Sequence, residues 1–130
     1  MANAAILCVD DEVSILKALK EQLKRLFGNR YVYEVAQSSE EAWTVIDELE
    51  EDEIKILIIV SDWLMPNVRG DEFLIKVHQR FPEVITVMLT GQADKEAIER
   101  AEQQANLYAC IRKPWTEEEL KSIINSALKP

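Results

Sequence analysis

Basic charge is what this chain is short of. It carries 15 lysines and arginines against 24 aspartates and glutamates, a formal net charge of −9. No basic patch is available to neutralise a phosphate backbone, so nucleic acid is excluded as a direct partner. With a single histidine, His78, there is no basis for a His/Cys metal cluster. The two cysteines, Cys8 and Cys110, lie in apolar runs without CxxC spacing, and both read as buried free thiols. No run approaches the roughly 18 apolar residues of a membrane span. The opening MANAAILCVDDE lacks a basic segment and meets acids too early for a secretory signal. These absences together point to a cytoplasmic protein. Internal repeats and low-complexity linkers are also missing, so residues 1–130 read as one domain with no output domain attached.

What is there is an alternation. Ala4 to Val9 is an apolar run too short for a helix, and Glu12 to Phe27 places Leu16, Leu19, Leu23, Leu26 and Phe27 on one helical face. Gly28-Asn29 ends that helix. Tyr31 to Val35 reads as a strand, and Ser38 or Ser39 caps a helix bearing Ala42, Val45, Ile46 and Leu49. KILIIV (55–60) is continuously apolar, as in a strand buried on both faces. A helix over 71–80 turns Phe73, Leu74 and Val77 inward, and VITVML (84–89) is a further strand. A helix over 94–104 has a small-residue face of Ala97, Ile98 and Ala101. Leu107 to Ile111 forms the fifth strand. The last helix, 116–128, opens on a Thr116–Glu119 capping box and has Leu120, Ile123, Ile124 and Ala127 as its apolar residues. Five strand–helix units predict an α/β fold, a flavodoxin-like doubly wound parallel sheet of order 2-1-3-4-5. A barrel would need about eight such units.

The polar residues fall where the strands end. Asp10-Asp11 follow the first strand, Ser61-Asp62 the third, Thr90 the fourth and Arg112-Lys113 the fifth. In a parallel sheet all carboxyl ends share one edge, and ligands bind there. Three converging carboxylates repel one another unless a cation relieves them, and an all-oxygen set suits Mg²⁺ or Mn²⁺. A lysine and a hydroxyl facing the same spot are what phosphoryl oxygens need. One carboxylate can itself be the nucleophile, giving an aspartyl phosphate. Asp62, alone at the end of the most apolar strand, takes that role; Asp10 and Asp11 hold the metal, Lys113 neutralises the acceptor and Thr90 donates a hydrogen bond.

At this point the chain resembles the response-regulator receiver domains of two-component signalling. The matching pieces are VDDE (9–12), SDWLMPNVRGDEF (61–73), MLTG (88–91) and IRKPW (111–115), and the resemblance runs from Ile6 to about Leu128. It implies that Asp11, Asp62 and the Leu64 backbone carbonyl ligate Mg²⁺, with Asp10 acting through water. It further implies that Asp62 takes a phosphoryl group from a histidine kinase or phosphotransfer protein, that Thr90 swings toward it, and that Lys113 binds a phosphate oxygen. A cis Lys113–Pro114 peptide would aim that lysine. The resemblance also implies a downstream protein target and a homodimer face on the fourth helix, fifth strand and fifth helix. Leu64 and Gln92 flank the phosphate region, and neither positions a hydrolytic water as an acid would, so slow phosphoryl loss is expected. Where the family usually has a tyrosine or phenylalanine, three residues before the lysine, this chain has Cys110. Tyr108 lies two residues earlier, on the same side of an extended strand; either it stands in part for the missing aromatic, or Thr90 and the Gly91 loop move without an aromatic follower.

Blander readings exist for each residue. Asp10 can be a helix N-cap and Asp11 a first-turn acid. Asp62 can open a turn, since Pro66 and Gly70 follow. Thr90 alone reads as a strand-end hydroxyl, Lys113 as a solvated lysine, and His78 as a rim histidine rather than a phosphohistidine. Trp63 borders the site, whereas Trp43 and Trp115 are packing or partner contacts. At the level of the whole chain, the alternatives are a phosphorylation-independent interaction module and a receiver cut from a larger regulator or hybrid kinase. A haloacid-dehalogenase-type phosphatase also uses an aspartyl nucleophile. It would need Asp-x-Asp after the first strand and a cap-sized insertion, where this chain has Asp10-Asp11-Glu12 and no insertion. The chain is therefore not read as an enzyme beyond its own phosphorylation and dephosphorylation.

Overall fold

The computed structural model describes residues 3–65, 67–91 and 95–129. Pro66, Gln92 and the Asp94 start of the fourth helix lie outside the described residues. Strands and helices alternate: β1 (Ala4–Val9), α1 (Val13–Phe27), β2 (Val32–Ala36), α2 (Ser39–Glu51), β3 (Lys55–Asp62), α3 (Gly70–Arg80), β4 (Ile85–Thr90), α4 (Lys95–Gln104), β5 (Ala109–Arg112) and α5 (Glu117–Leu128). The strands form one parallel sheet in the order β2-β1-β3-β4-β5. This is the flavodoxin-like order that the alternation predicts.

The period of 2 along β1 divides the core. Ala5, Leu7 and Val9 join Ala42, Ile46, Phe73, Leu74, Val77 and Ala101 from α2, α3 and α4. Ile6 and Cys8 face the other way, onto Leu16, Leu19 and Leu23 of α1 and Leu120 and Ile124 of α5. The sheet is thus covered on both faces, and its central strands read as unbroken apolar runs for that reason. The register between β1 and β3 shifts by one residue after Ala5, so Leu57 is an extra residue in β3. That bulge puts Ile56 on the same face as Ile59.

Most element ends fall within one or two residues of expectation, and the start of β5 and the cap of α1 differ for identifiable reasons. Asn106 adopts φ 51° and ends α4, and the Leu107 N–H returns to the Ala101 carbonyl at 3.2 Å. Leu107 is therefore used to close a helix, and β5 starts at Ala109. At the other end of the chain, the N-cap of α1 is Glu12, whose side chain makes no cap bond. Asp10 is not the N-cap; it bonds the Glu12 N–H from two residues upstream, at 2.8 Å. Ser38 and Thr116 do cap, accepting from the Glu41 and Glu119 amides at 3.1 Å each. Among the described residues no helix is long and apolar enough to cross a membrane.

Candidate functional site

The carboxyl edge of the sheet gathers the residues that follow the strands. Asp10 is fully buried, and its N–H donates to the Ala36 carbonyl at 3.1 Å, anchoring it beside β2. Asp62 ends β3 at 6% exposure. Asp11 is exposed. One carboxylate oxygen from each of the three acids lies within 4.8 Å of the others. Lys113 reaches between two of them, with Nζ 2.8 Å from Asp10 Oδ2 and 3.3 Å from Asp62 Oδ1. Its own N–H donates to the Thr90 carbonyl at 2.8 Å, which ties the ends of β4 and β5 together, and Thr90 is buried. The Lys113–Pro114 peptide is cis. Asp11, Asp62, Trp63, Leu64, Thr90 and Lys113 border a shared cleft of about 360 Å³. Leu64 stands at its mouth, 62% exposed.

Charge is crowded here. Burial pushes the Asp62 carboxyl up to about 6; the Asp10 charge adds to this, Lys113 opposes it and Asp11 adds a little more. Burial alone would lower Lys113, but its hydrogen bond and charge interaction with Asp10, joined by Asp62, hold it above the usual lysine value. The lysine thus offsets only part of the repulsion. An oxygen-only donor set with an excess of negative charge, open to a cleft, fits a hard divalent cation such as Mg²⁺. Asp10, Asp11 and Asp62 would hold it.

The loop after β3 is pressed onto this site. The Trp63 N–H donates to the Leu89 carbonyl at 2.9 Å, and the Gly70 N–H donates to the Trp63 carbonyl at 2.6 Å, closing the loop. A Cβ on Gly70 would lie 1.8 Å from the Asp62 carbonyl oxygen, so only glycine fits. Next to it sits a group that pattern reading did not single out. Asp71 is fully buried, and its Oδ2 meets Arg69 Nη2 at 3.2 Å and Arg100 Nη2 at 3.1 Å. In sequence Asp71 is an acid in the first turn of a helix, which the helix dipole explains without burial. The arginine 29 positions later on α4, itself half-buried, carries no local signal.

The remaining candidates are placed as follows. Cys8 is buried, and burial followed by the Asp10 charge pushes its thiol up to about 12. Cys110 is only half-buried, against expectation, because β5 is an edge strand and α4 covers it incompletely. Tyr108 lies just before β5, 46% exposed, with its hydroxyl 2.7 Å from Ser126 Oγ on α5. Tyr108 and Cys110 border a common recess of about 240 Å³ beside Ile98 and Glu102 of α4. Trp43 packs edge-on against Phe73 and carries the Arg80 guanidinium over its ring. Trp115 Nε1 donates to Gln22 at 2.7 Å. His78 is half-buried on α3, away from the cleft's lining residues.

A doubly wound sheet with acids and a lysine converging at its carboxyl edge defines a class, the small α/β phosphoacceptor domain. Within it the family is specific: the response regulator receiver domain matches residues 6–125, and the chain belongs to that family. The hydrogenase transcriptional regulatory protein HoxA of Cupriavidus necator is 29% identical over 127 residues, covering 98% of this chain and 24% of the relative. The chain therefore spans about a quarter of the length of that regulator. The chemotaxis protein CheY homolog of Campylobacter jejuni is 30% identical over 126 residues, covering 95% of this chain and 91% of the relative. Among solved structures, the signal receiver domain of an HD domain-containing protein from Pseudomonas fluorescens Pf-5 superposes with a TM-score of 0.85. It is 25% identical and covers 97% of this chain and 94% of the other. This chain is accordingly a phosphoacceptor receiver with an acidic pocket of Asp10, Asp11 and Asp62, and not a conventional enzyme.

Proposed function

We propose that Asp62 is the phosphoacceptor and that residues 1–130 act as one receiver domain, alone or within a longer regulator. A carboxylate oxygen of Asp62 attacks the phosphorus of a phosphohistidine on a histidine kinase or phosphotransfer protein. The P–O bond forms, the P–N bond breaks, and the departing imidazole takes up a proton. Asp11, Asp62 and the Leu64 carbonyl, with Asp10 acting through water, would hold Mg²⁺, or Mn²⁺ in its place. The metal, when bound, offsets the charge on the transferring oxygens. Lys113 moves from pairing with Asp62 to pairing with the phosphoryl group, and Thr90 supplies a hydroxyl to it. These contacts exist only in the phosphorylated state, so they can shift a two-state equilibrium. The shift is read by a downstream protein on the face of α4, β5 and α5, which also serves as a homodimer face. Cytoplasmic location follows from such partners.

The observation that carries this reading is Lys113 lodged between Asp10 and Asp62, at 2.8 and 3.3 Å. A lysine at 18% side-chain exposure is held there by charge rather than by solvent. The test is incubation with a small phosphodonor and Mg²⁺, read by intact mass. One added phosphoryl group is expected on the wild type and none on Asp62→Asn. Mg²⁺-dependent labelling of that variant would remove Asp62 from its role. An unlabelled wild type would favour the phosphorylation-independent module.

A further inference from the structure

We infer that Asp71 and Arg100 are positioning residues for the metal site, clamping the loop after β3 to α4. This rests on the metal site proposed above. The loop leaves Asp62, carries the Leu64 carbonyl, and returns at Gly70, where the N–H closes on the Trp63 carbonyl at 2.6 Å. Gly70 abuts the Asp62 carbonyl so closely that a Cβ would stand 1.8 Å from it. Any displacement of Gly70 is therefore felt at the phosphoacceptor backbone and along the loop. What fixes Gly70 is its neighbour. Asp71 is fully buried, and two guanidinium groups meet its Oδ2, Arg69 at 3.2 Å and Arg100 at 3.1 Å. A first-turn acid that served only the helix dipole would stay in solvent, as its neighbour Glu72 does.

Arg100 comes from α4, which presents mainly the small Ala97 and Ala101 as its buried face. Among the described residues, Arg100–Asp71 is the one ion pair that joins α4 to another element. The chain of contacts is thus Arg100, Asp71, Gly70, Asp62, running from the helix beside the recess at Cys110 to the acid cluster. By linkage, whatever holds α4 in this position favours the metal-competent loop, and metal binding favours this position of α4 by the same factor.

The test compares wild type, Arg100→Met and Arg100→Lys by Mg²⁺ titration of tryptophan emission. Amide exchange of residues 63–70 is followed in chelator, and the phosphorylation rate is measured at saturating Mg²⁺. Arg100→Met should weaken Mg²⁺ binding about 10-fold and speed Gly70 exchange even without metal. Its rate at saturating Mg²⁺ should match that of wild type, and Arg100→Lys should recover part of both losses. A merely structural role would lower the unfolding midpoint and leave the Mg²⁺ affinity of the folded protein and the Gly70 exchange as in wild type. That result overturns the inference and leaves the proposed function standing. A wild type that binds no Mg²⁺ overturns both. Should Arg100→Met fail to fold, the isosteric Asp71→Asn must show the same loss of affinity, and normal affinity there refutes the clamp.

Discussion

Replacing Asp62 by asparagine should make the metal-free protein more stable at neutral and alkaline pH. The carboxyl titrates at about 6 in the fold, against an ordinary value of 3.8. Its folded-state value is raised, so between these pH values the native chain binds more protons than the unfolded one. Stability then falls as pH rises through that window, and the full loss persists above it. The shift of about two units corresponds to about 3 kcal/mol at pH 8. At pH 4 the native carboxyl is protonated, and the same arithmetic leaves about 0.5 kcal/mol. Asp62→Asn keeps the shape and removes the charge, so it should recover about 3 kcal/mol at pH 8, or about 10 °C in Tm for a chain of this length. Mg²⁺ should close the gap from the other side, since it stabilises only the chain that retains the ligand. The assay is urea unfolding of both proteins in chelator at the two pH values, repeated with Mg²⁺ at pH 8. A variant no more stable than wild type in chelator at pH 8 would refute the reasoning, as would an equal gain at both pH values.

The same carboxyl makes metal affinity depend on pH. Below about pH 6 a proton competes for Asp62, and the apparent Mg²⁺ affinity should fall up to tenfold per pH unit, levelling off above. A dissociation constant that does not move across that range counts against Asp62 as a ligand. Gly70→Ala forces a Cβ within 1.8 Å of the Asp62 carbonyl oxygen and should cost about 3 kcal/mol, with loss of phosphorylation. Gly91→Ala, with nothing within 4 Å of its added carbon, should unfold within about 0.5 kcal/mol of wild type; equal effects of the two would undo the close-approach argument. Leu64, exposed at the cleft mouth, offers no acid to orient water, so the phosphoryl group should outlast minutes in mass-spectrometric decay. Decay within seconds would rule that out.

The sheet order was legible because both kinds of evidence were local. Each apolar run is short, each helix has one apolar stripe, and parallel alternation leaves few topologies. The cleft was legible for a related reason. Strand ends converge by geometry, so residues at positions 10, 11, 62, 90 and 113 could be placed together before any distance was known. The boundaries were less legible where a residue serves two elements. Leu107 looks like the start of a strand, yet its N–H goes to Ala101 because Asn106 turns left-handed first. Asp10 looks like an N-cap, yet its two oxygens divide between the Glu12 amide and Lys113.

Asp71 marks a different limit. Its burial depends on Arg69 and Arg100, which come from a loop and from a helix 29 residues away, and no periodicity couples them. A charged residue near a helix start has an adequate local explanation, and that explanation conceals the long-range one. Cys110 makes the complementary point. Its surroundings are spatial rather than local: it borders a recess shared with Tyr108, whose hydroxyl is held by Ser126 on α5. Breaking that hydroxyl bond costs about 1 kcal/mol, whereas stripping a buried carboxylate of a partner costs several. On that comparison the Asp71–Arg100 pair is the stronger tie to α4, while the Tyr108 hydroxyl makes a weaker one to α5.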